Sequence, residues 1–162
     1  MLKITILIIL ILLVLIAGYI YTKNLVIVPE VNGVLVDDDM NPVANTEIVR
    51  SWHWAWANQS GQDIVVTQDD GSFSMPAVYG KSVTAQVLPH EPNIRVSLAA
   101  KLEDETKEFF TMRKAEYTLT DVRHNMKVRP LHIRCGVQSL PGDEDDMVFN
   151  STCVFLNTSE NQ

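Results

Sequence analysis

The stretch from Val31 to Met75 constrains the fold more than any other part of this 162-residue chain. It begins with a short apolar run, Val31–Val36, which is followed by three aspartates and an Asn-Pro pair. Aspartate and asparagine side chains bond to nearby backbone and proline fixes φ, so these residues are typical of a turn. A second strand-like run begins at Thr46 and a third lies at Ile64–Thr67. An Asp-Asp-Gly turn then connects the third run to a fourth. Short strands that alternate with turns predict antiparallel β-structure.

The remainder of the chain continues this pattern. Further strands are expected at Val83–Leu88, Ile94–Leu98, Glu108–Met112, Leu131–Val137 and Met147–Leu156. Apolar residues show no 3.6-residue period outside the amino terminus, and the strands recur about every ten residues. The sequence therefore predicts an all-β chain, an antiparallel β-sandwich of about seven to nine strands over residues 31–157. Residues 158–162 are expected to form a frayed tail.

The amino terminus carries an uncharged run, Ile4–Tyr21. A helix of that length extends roughly 27 Å, close to the thickness of a bilayer core. Residues 1–24 are therefore predicted to form a transmembrane anchor, with 25–30 as a short linker. The alternative is a cleaved signal peptide, but Leu15 and Ile16 stand where cleavage prefers small residues. Lys3 and the terminal amine precede the run and only Lys23 follows it closely, which favours a cytoplasmic amino terminus.

Charge limits the classes of partner. The chain has a formal charge of −7, and residues 1–24 contain two lysines and no acid, so residues 25–162 carry −9. Such a domain repels nucleic acid and anionic membrane surfaces and favours a basic protein partner.

Cys135 and Cys153 are the only two cysteines, and each lies in an apolar, strand-like stretch. In an oxidising compartment such a pair usually bridges, which predicts a disulfide between the last two strands. Two buried free thiols are the alternative. A metal pair is disfavoured because His132 is the sole potential ligand close to either cysteine.

Trp52, Trp54 and Trp56 alternate with smaller residues, so an extended strand would place all three rings on one face. They are candidate interface residues for a glycan or a protein, or else they cover one side of the sandwich. The same alternation, starting from an inward Ile48, would bury Arg50 beside the rings. A β-bulge near Arg50 is therefore predicted, because it would send some of the rings outward.

Acidic residues cluster at Asp37–Asp39 and again at Asp143, Glu144, Asp145 and Asp146. Neither cluster has the spaced ligands and closing glutamate of an EF-hand, so solvated turns are predicted in preference to metal sites. The second cluster is a candidate interface for a basic partner, which it would attract electrostatically.

No catalytic or cofactor-binding motif is present. The four histidines, His53, His90, His124 and His132, are scattered and show no metal-ligand spacing. Nucleophile-elbow, phosphate-loop and dinucleotide-binding patterns are absent from the sequence. We therefore expect a protein that is not an enzyme and that holds no cofactor.

The Val31–Met75 stretch resembles the carboxypeptidase regulatory-like, or transthyretin-like, family of β-sandwich domains. The resemblance rests on Asn32-Gly33-Val34, on the turn at Asp37–Asn41 and on the hairpin at Thr67–Met75, and it covers about 45 of the 162 residues. It implies a sandwich in which Gly71 relieves the hairpin turn and Phe73 enters the core, without an active site. In layout, the rest of the chain is similar to small, uncharacterised, membrane-anchored bacterial proteins.

This resemblance implies a non-catalytic binding module on the periplasmic side of the bacterial inner membrane. Some anchored periplasmic proteins of this size are immunity proteins, so an immunity-type role against a secreted toxin is one expectation. The alternatives are a component of an envelope assembly and a glycan-binding domain that uses the three tryptophans. The sequence makes no prediction about oligomeric state.

Overall fold

The computed structural model describes residues 2–22, 25–88, 91, 93–103, 105–114, 130–137 and 149–156. The elements are α1 (Leu2–Thr22), β1 (Leu25–Val28), β2 (Val31–Val36), β3 (Glu47–Trp54), the 3₁₀ turn η1 (Ala55–Ala57), β4 (Gln59–Val66), β5 (Ser72–Met75), β6 (Val78–Gly80), α2 (Val83–Val87), β7 (Ile94–Lys101), β8 (Thr106–Lys114), β9 (Leu131–Gly136), β10 (Phe149–Ser151) and β11 (Cys153–Phe155). The expectation of a mostly β fold is confirmed.

The strands form two principal sheets and one small sheet. The first has the order β10-β8-β7-β3-β4, the second β11-β9-β2-β5, and β1 pairs with β6 alone. Among the described strands, the pairings are antiparallel except for β2 and β9, which run parallel, so the expectation of a wholly antiparallel sandwich is wrong at that pair. More strands are present than predicted because several have only three or four residues, too few to show an alternating pattern.

The two principal sheets enclose the main core. Leu35, Phe73 and Ile133 from the four-stranded sheet pack against residues such as Ile48 and Phe110 of the five-stranded sheet. Phe73 enters this core as expected, and its ring lies on Gly33, where an added Cβ would come within 2.3 Å of it. Gly71 adopts a φ of +73°, the left-handed conformation that the hairpin turn requires.

Both turns that the sequence marked are fixed by aspartate side chains. The backbone N–H of Asn41 donates to Asp37 Oδ1 at 2.8 Å, and that of Asp39 donates to the same oxygen. These bonds, led by that of Asn41, hold the pKa of Asp37 below its ordinary value. At the hairpin, bonds from Ser72 lower the pKa of Asp70 in the same way. The first acidic cluster is therefore a hydrogen-bonded turn.

A second core cluster closes one end of the sandwich. Leu25, Ile27 and Val28 of β1 are at most 1% exposed and pack with Trp54 and other apolar residues. The prediction of a linker at 25–30 is therefore wrong, because these apolar side chains are buried by pairing with β6. The strand predicted at Val83–Leu88 is also wrong: this segment forms the short helix α2, and Ser82 Oγ caps it by accepting a bond from Ala85 N–H.

The predicted last strand crosses between the two sheets. Its first part, β10, pairs with β8, and its second part, β11, pairs with β9. Thr152 makes the crossing, and its hydroxyl donates to the carbonyl of Gly136 at 2.8 Å. Beyond it Cys153 lies directly opposite Cys135, and the two form the predicted disulfide.

The helix predicted at the amino terminus is present as α1. Large aliphatic side chains from Ile4 to Ile16 are exposed around it, and the helix has no acidic residue in its first turn or basic residue in its last. Among the described residues, we find no helix that combines the length and the apolar character needed to cross a membrane.

Candidate interaction surfaces

Arg50 lies in the interior of the five-stranded sheet. The pairing of β3 with both β4 and β7 runs from Glu47 to Trp54 without a register shift. The bulge predicted near Arg50 is therefore wrong, and the simple alternation carries Arg50 inward at 0% exposure. The sheet tolerates the buried guanidinium because the neighbouring strand supplies a carboxylate opposite it.

That carboxylate belongs to Asp63. Arg50 Nε donates to Asp63 Oδ2 at 2.9 Å, and Nη2 donates both to the same oxygen and to the carbonyl of Pro76. Nη1 is buried and has no hydrogen-bond partner among the described residues. The Asp63 side chain is 41% exposed, so only the arginine end of the pair is shielded from water. This arrangement ties β3, β4 and the segment after β5 together.

We expect Asp63→Ala to lower the free energy of unfolding by about 2 kcal/mol, because it leaves the buried Arg50 charge without its anion. Removing one partner of a fully buried ion pair costs about 3–5 kcal/mol. The expected loss here is smaller because Asp63 is half-exposed. The double variant Arg50→Met/Asp63→Ala should regain most of that loss, since it removes the charge as well. Urea unfolding measures both, with Gln62→Ala as the control on the same strand. A double variant less stable than Asp63→Ala alone contradicts this account.

The three tryptophans do not share one exposed face. Trp54 is fully buried in the second core cluster, and Trp52 is half-buried against Gly61, where an added Cβ would come within 2.6 Å of the indole. Trp56 lies beyond the end of β3 on η1 and is 40% exposed. The strand ends early because Asn58 takes a left-handed conformation and starts the return into β4. The expectation of a single tryptophan face is therefore wrong.

A different surface arises from β4, which forms one edge of the five-stranded sheet. The sequence predicts a strand-like run only from Ile64 to Thr67, but β4 begins at Gln59 and continues unbroken to Val66. Ile64 and Val66 point outward with 58% and 54% exposure. Sequence reasoning missed this surface, because Ile64, Val65 and Val66 are consecutive apolar residues and do not show which side chains face outward.

The outer face of the four-stranded sheet carries a groove of about 330 Å³. Its lining includes Asn32, Ser72, His132 and Leu156. These side chains are amide, hydroxyl, imidazole and aliphatic groups, and no carboxylate, lysine or arginine of the described residues lines the groove. The groove therefore offers hydrogen-bonding groups.

The remaining predicted site residues do not form a site within the described part of the chain. Asp143, Glu144, Asp145 and Asp146 lie outside the described residues, as do His90 and His124. His53 is exposed on β3, and His132 lines the groove on the opposite sheet. Within the described ranges no group of three or more histidine, cysteine, aspartate or glutamate residues is arranged to hold a metal ion.

The chain is similar to a known family over much of its length. The model of a domain of unknown function, DUF6795, matches residues 31–139, which is more than half of the chain. The chain belongs to the DUF6795 family. The DUF6795 region begins with β2 and ends shortly after β9, so Cys135 lies inside it and Cys153 outside. No curated protein and no solved structure matches the chain.

Proposed function

We propose that this DUF6795 protein is a non-catalytic, membrane-attached module that binds another protein by adding a strand to β4. The observation that supports it is the combination of an eight-residue edge strand with exposed apolar side chains. An edge strand presents unpaired backbone N–H and C=O groups that an extended peptide from a partner can complete.

The edge carries one of the devices by which proteins usually protect such strands, the charged Asp63 that pairs with Arg50, but it lacks others. β4 contains no proline, lysine or arginine, and its pairing with β3 has no bulge. The outward Ile64 lies directly opposite Val49, so apolar contact extends from the edge onto the neighbouring strand. An added strand would gain backbone hydrogen bonds from the edge and side-chain contacts from this small apolar strip.

Membrane attachment is proposed from α1. A helix with large aliphatic side chains exposed on all sides requires an apolar environment. The disulfide supports an oxidising compartment for the sandwich, and we propose the periplasmic face of the bacterial inner membrane with a cytoplasmic amino terminus. The single-pass topology and the transthyretin-like relationship stay predictions from the sequence.

A basic protein is the partner class that the formal charge of −7 favours. The most specific form of this proposal is an immunity-type role, in which the module binds a toxin and blocks its action. The alternative is a contact within an envelope assembly. We do not propose glycan binding, because the burial of Trp54 removes the flat aromatic platform on which that idea depended.

The test is recovery of a partner by the full chain from detergent-solubilised envelopes. The wild type is compared with Ile64→Lys/Val66→Lys, which places charges on the β4 strip. The matched control is Val154→Lys/Leu156→Lys, which changes exposed residues at β11 on the edge of the other sheet.

We expect wild type and control to retain a partner at stoichiometric yield. The β4 variant should bind that partner at least about tenfold more weakly, a loss of about 1.4 kcal/mol of binding free energy. Thermal unfolding confirms that both variants are folded. Equal recovery by the β4 variant contradicts binding at this edge, and the absence of a stoichiometric partner in all three samples contradicts the binding role.

A further inference from the structure

We propose that one end of the sandwich rests on the lipid headgroup region of the membrane to which α1 attaches the protein. We call this end the helix-proximal end and define it as η1, β6, α2, the first residues of β7 and the last residues of β8. The proposal rests on the proposed membrane attachment, and it adds a fixed orientation of the sandwich on the lipid surface.

The helix-proximal end is the part of the sandwich nearest to α1. β1 starts three residues after α1 ends, and Leu25 pairs with Gly80 of β6. Three peptide units reach at most about 11 Å. If α1 is inserted in the bilayer, the first strand of the small sheet therefore lies within the headgroup region or directly on it, since that region is several ångströms thick.

The same end carries exposed apolar side chains. Trp56, Tyr79, Val83 and Leu88 are between 40% and 61% exposed. The Trp56 indole N–H donates to Thr84 Oγ1 at 3.1 Å, which joins η1 to α2. Tryptophan and tyrosine are enriched at membrane–water interfaces because their rings are amphipathic. These four residues thus match the composition of an interfacial surface.

Cations accompany the apolar residues. Arg95 on β7 and Arg113 on β8 are exposed and lie directly opposite each other. Like charges directly opposite on neighbouring strands repel unless an anion lies near them. Lys81 adds another exposed cation at this end. An anionic headgroup layer would place negative charge opposite the two arginines.

This local pattern reverses the expectation that the whole acidic domain avoids anionic lipid. The net charge governs long-range repulsion, whereas the helix-proximal end presents mainly cations and apolar rings. A protein partner would also fit such a surface, but it would have to share the space beside α1 with the bilayer. A lipid surface is therefore the occupant that we assign.

The experiment uses the full chain reconstituted into vesicles of phosphatidylcholine brominated on its acyl chains, with and without phosphatidylglycerol. Flotation of the vesicles reports attachment. Quenching of tryptophan fluorescence by bromine reports contact, because Trp54 is buried in the core and Trp52 is half-buried, whereas Trp56 is exposed. We expect flotation together with quenching that disappears in Trp56→Phe.

Three further samples test the surface itself. Val83→Ser/Leu88→Ser should lose at least half of the quenching, and Val154→Ser/Leu156→Ser, at β11 on the edge of the four-stranded sheet, should keep it. Phosphatidylglycerol should increase quenching in the wild type but not in Arg95→Gln/Arg113→Gln.

Flotation without quenching overturns the orientation and leaves membrane attachment standing. Quenching that persists in Trp56→Phe also overturns it. Absence of flotation overturns both proposals.

Discussion

Trp54→Ala should lower the free energy of unfolding by about 3–5 kcal/mol, which is the largest effect expected of a single substitution here. Trp54 is fully buried in the second core cluster, where β1, α2 and the start of β7 meet. Removing the indole leaves a cavity that this small cluster has few residues to fill. Urea unfolding, followed by far-ultraviolet circular dichroism, measures the change.

Trp56→Ala is the matched control two residues away. Its side chain is 40% exposed and its indole N–H donates to Thr84, so the expected loss is about 1 kcal/mol or less. Similar losses for the two variants would contradict the division of the tryptophans between core and surface. A large loss of unfolding free energy for Trp56→Ala alone would place Trp56, and not Trp54, in the core.

Reduction of the disulfide should lower the free energy of unfolding by about 3 kcal/mol. Cys135 and Cys153 are separated by 18 residues, and closing a loop of that size removes this much conformational entropy from the unfolded chain. The bridge also joins β9 to β11, a strand of only three residues with one sheet neighbour. We therefore expect loss of β11 pairing as the first local consequence.

The measurement compares urea midpoints with and without a reductant, and alkylation with mass determination establishes the thiol state. The variant Cys135→Ala/Cys153→Ala is the control, because its midpoint should not respond to the reductant. An unchanged midpoint in fully reduced wild type would show that the bridge contributes nothing to stability.

The sequence predicted the features that local chemistry determines. The turn at Asp37–Asn41, the left-handed Gly71 and the inward Phe73 all follow from side chains that act within a few residues or across one hairpin. The disulfide was predictable because the chain has only two cysteines, both in apolar strand-like stretches, and they can pair only with each other. The strand alternation also carried Arg50 inward, but the cost of burying a charge made a bulge seem necessary.

The features that the sequence did not predict depend on tertiary neighbours. Asp63 makes the buried Arg50 acceptable, and its position opposite Arg50 depends on where the chain turns between β3 and β4. That turn, at η1, also separates Trp56 from Trp54. By contrast, the run Leu25–Val28 is apolar and mostly β-branched and has strand propensity of its own, but sequence reasoning treated it as a linker; it pairs with β6.

The candidate binding edge illustrates the same limit. Ile64 and Val66 were assigned to a strand, but which strands lie at an edge is a property of the sheet order. The region that attracted attention in the sequence, the three tryptophans, contributes one residue to the surface and one to the core. Recognition is therefore proposed at the strand that follows them.

Hydrogen–deuterium exchange on the full chain with its captured partner tests the binding claim most directly. The account predicts slower exchange of backbone amides in residues 59–66 upon binding, because an added strand bonds to the free edge of β4. Amides of β11, at the edge of the other sheet, serve as the internal reference and should be unchanged. Unchanged exchange at β4 together with protection at β11 or at Asp143–Asp146 would contradict the account.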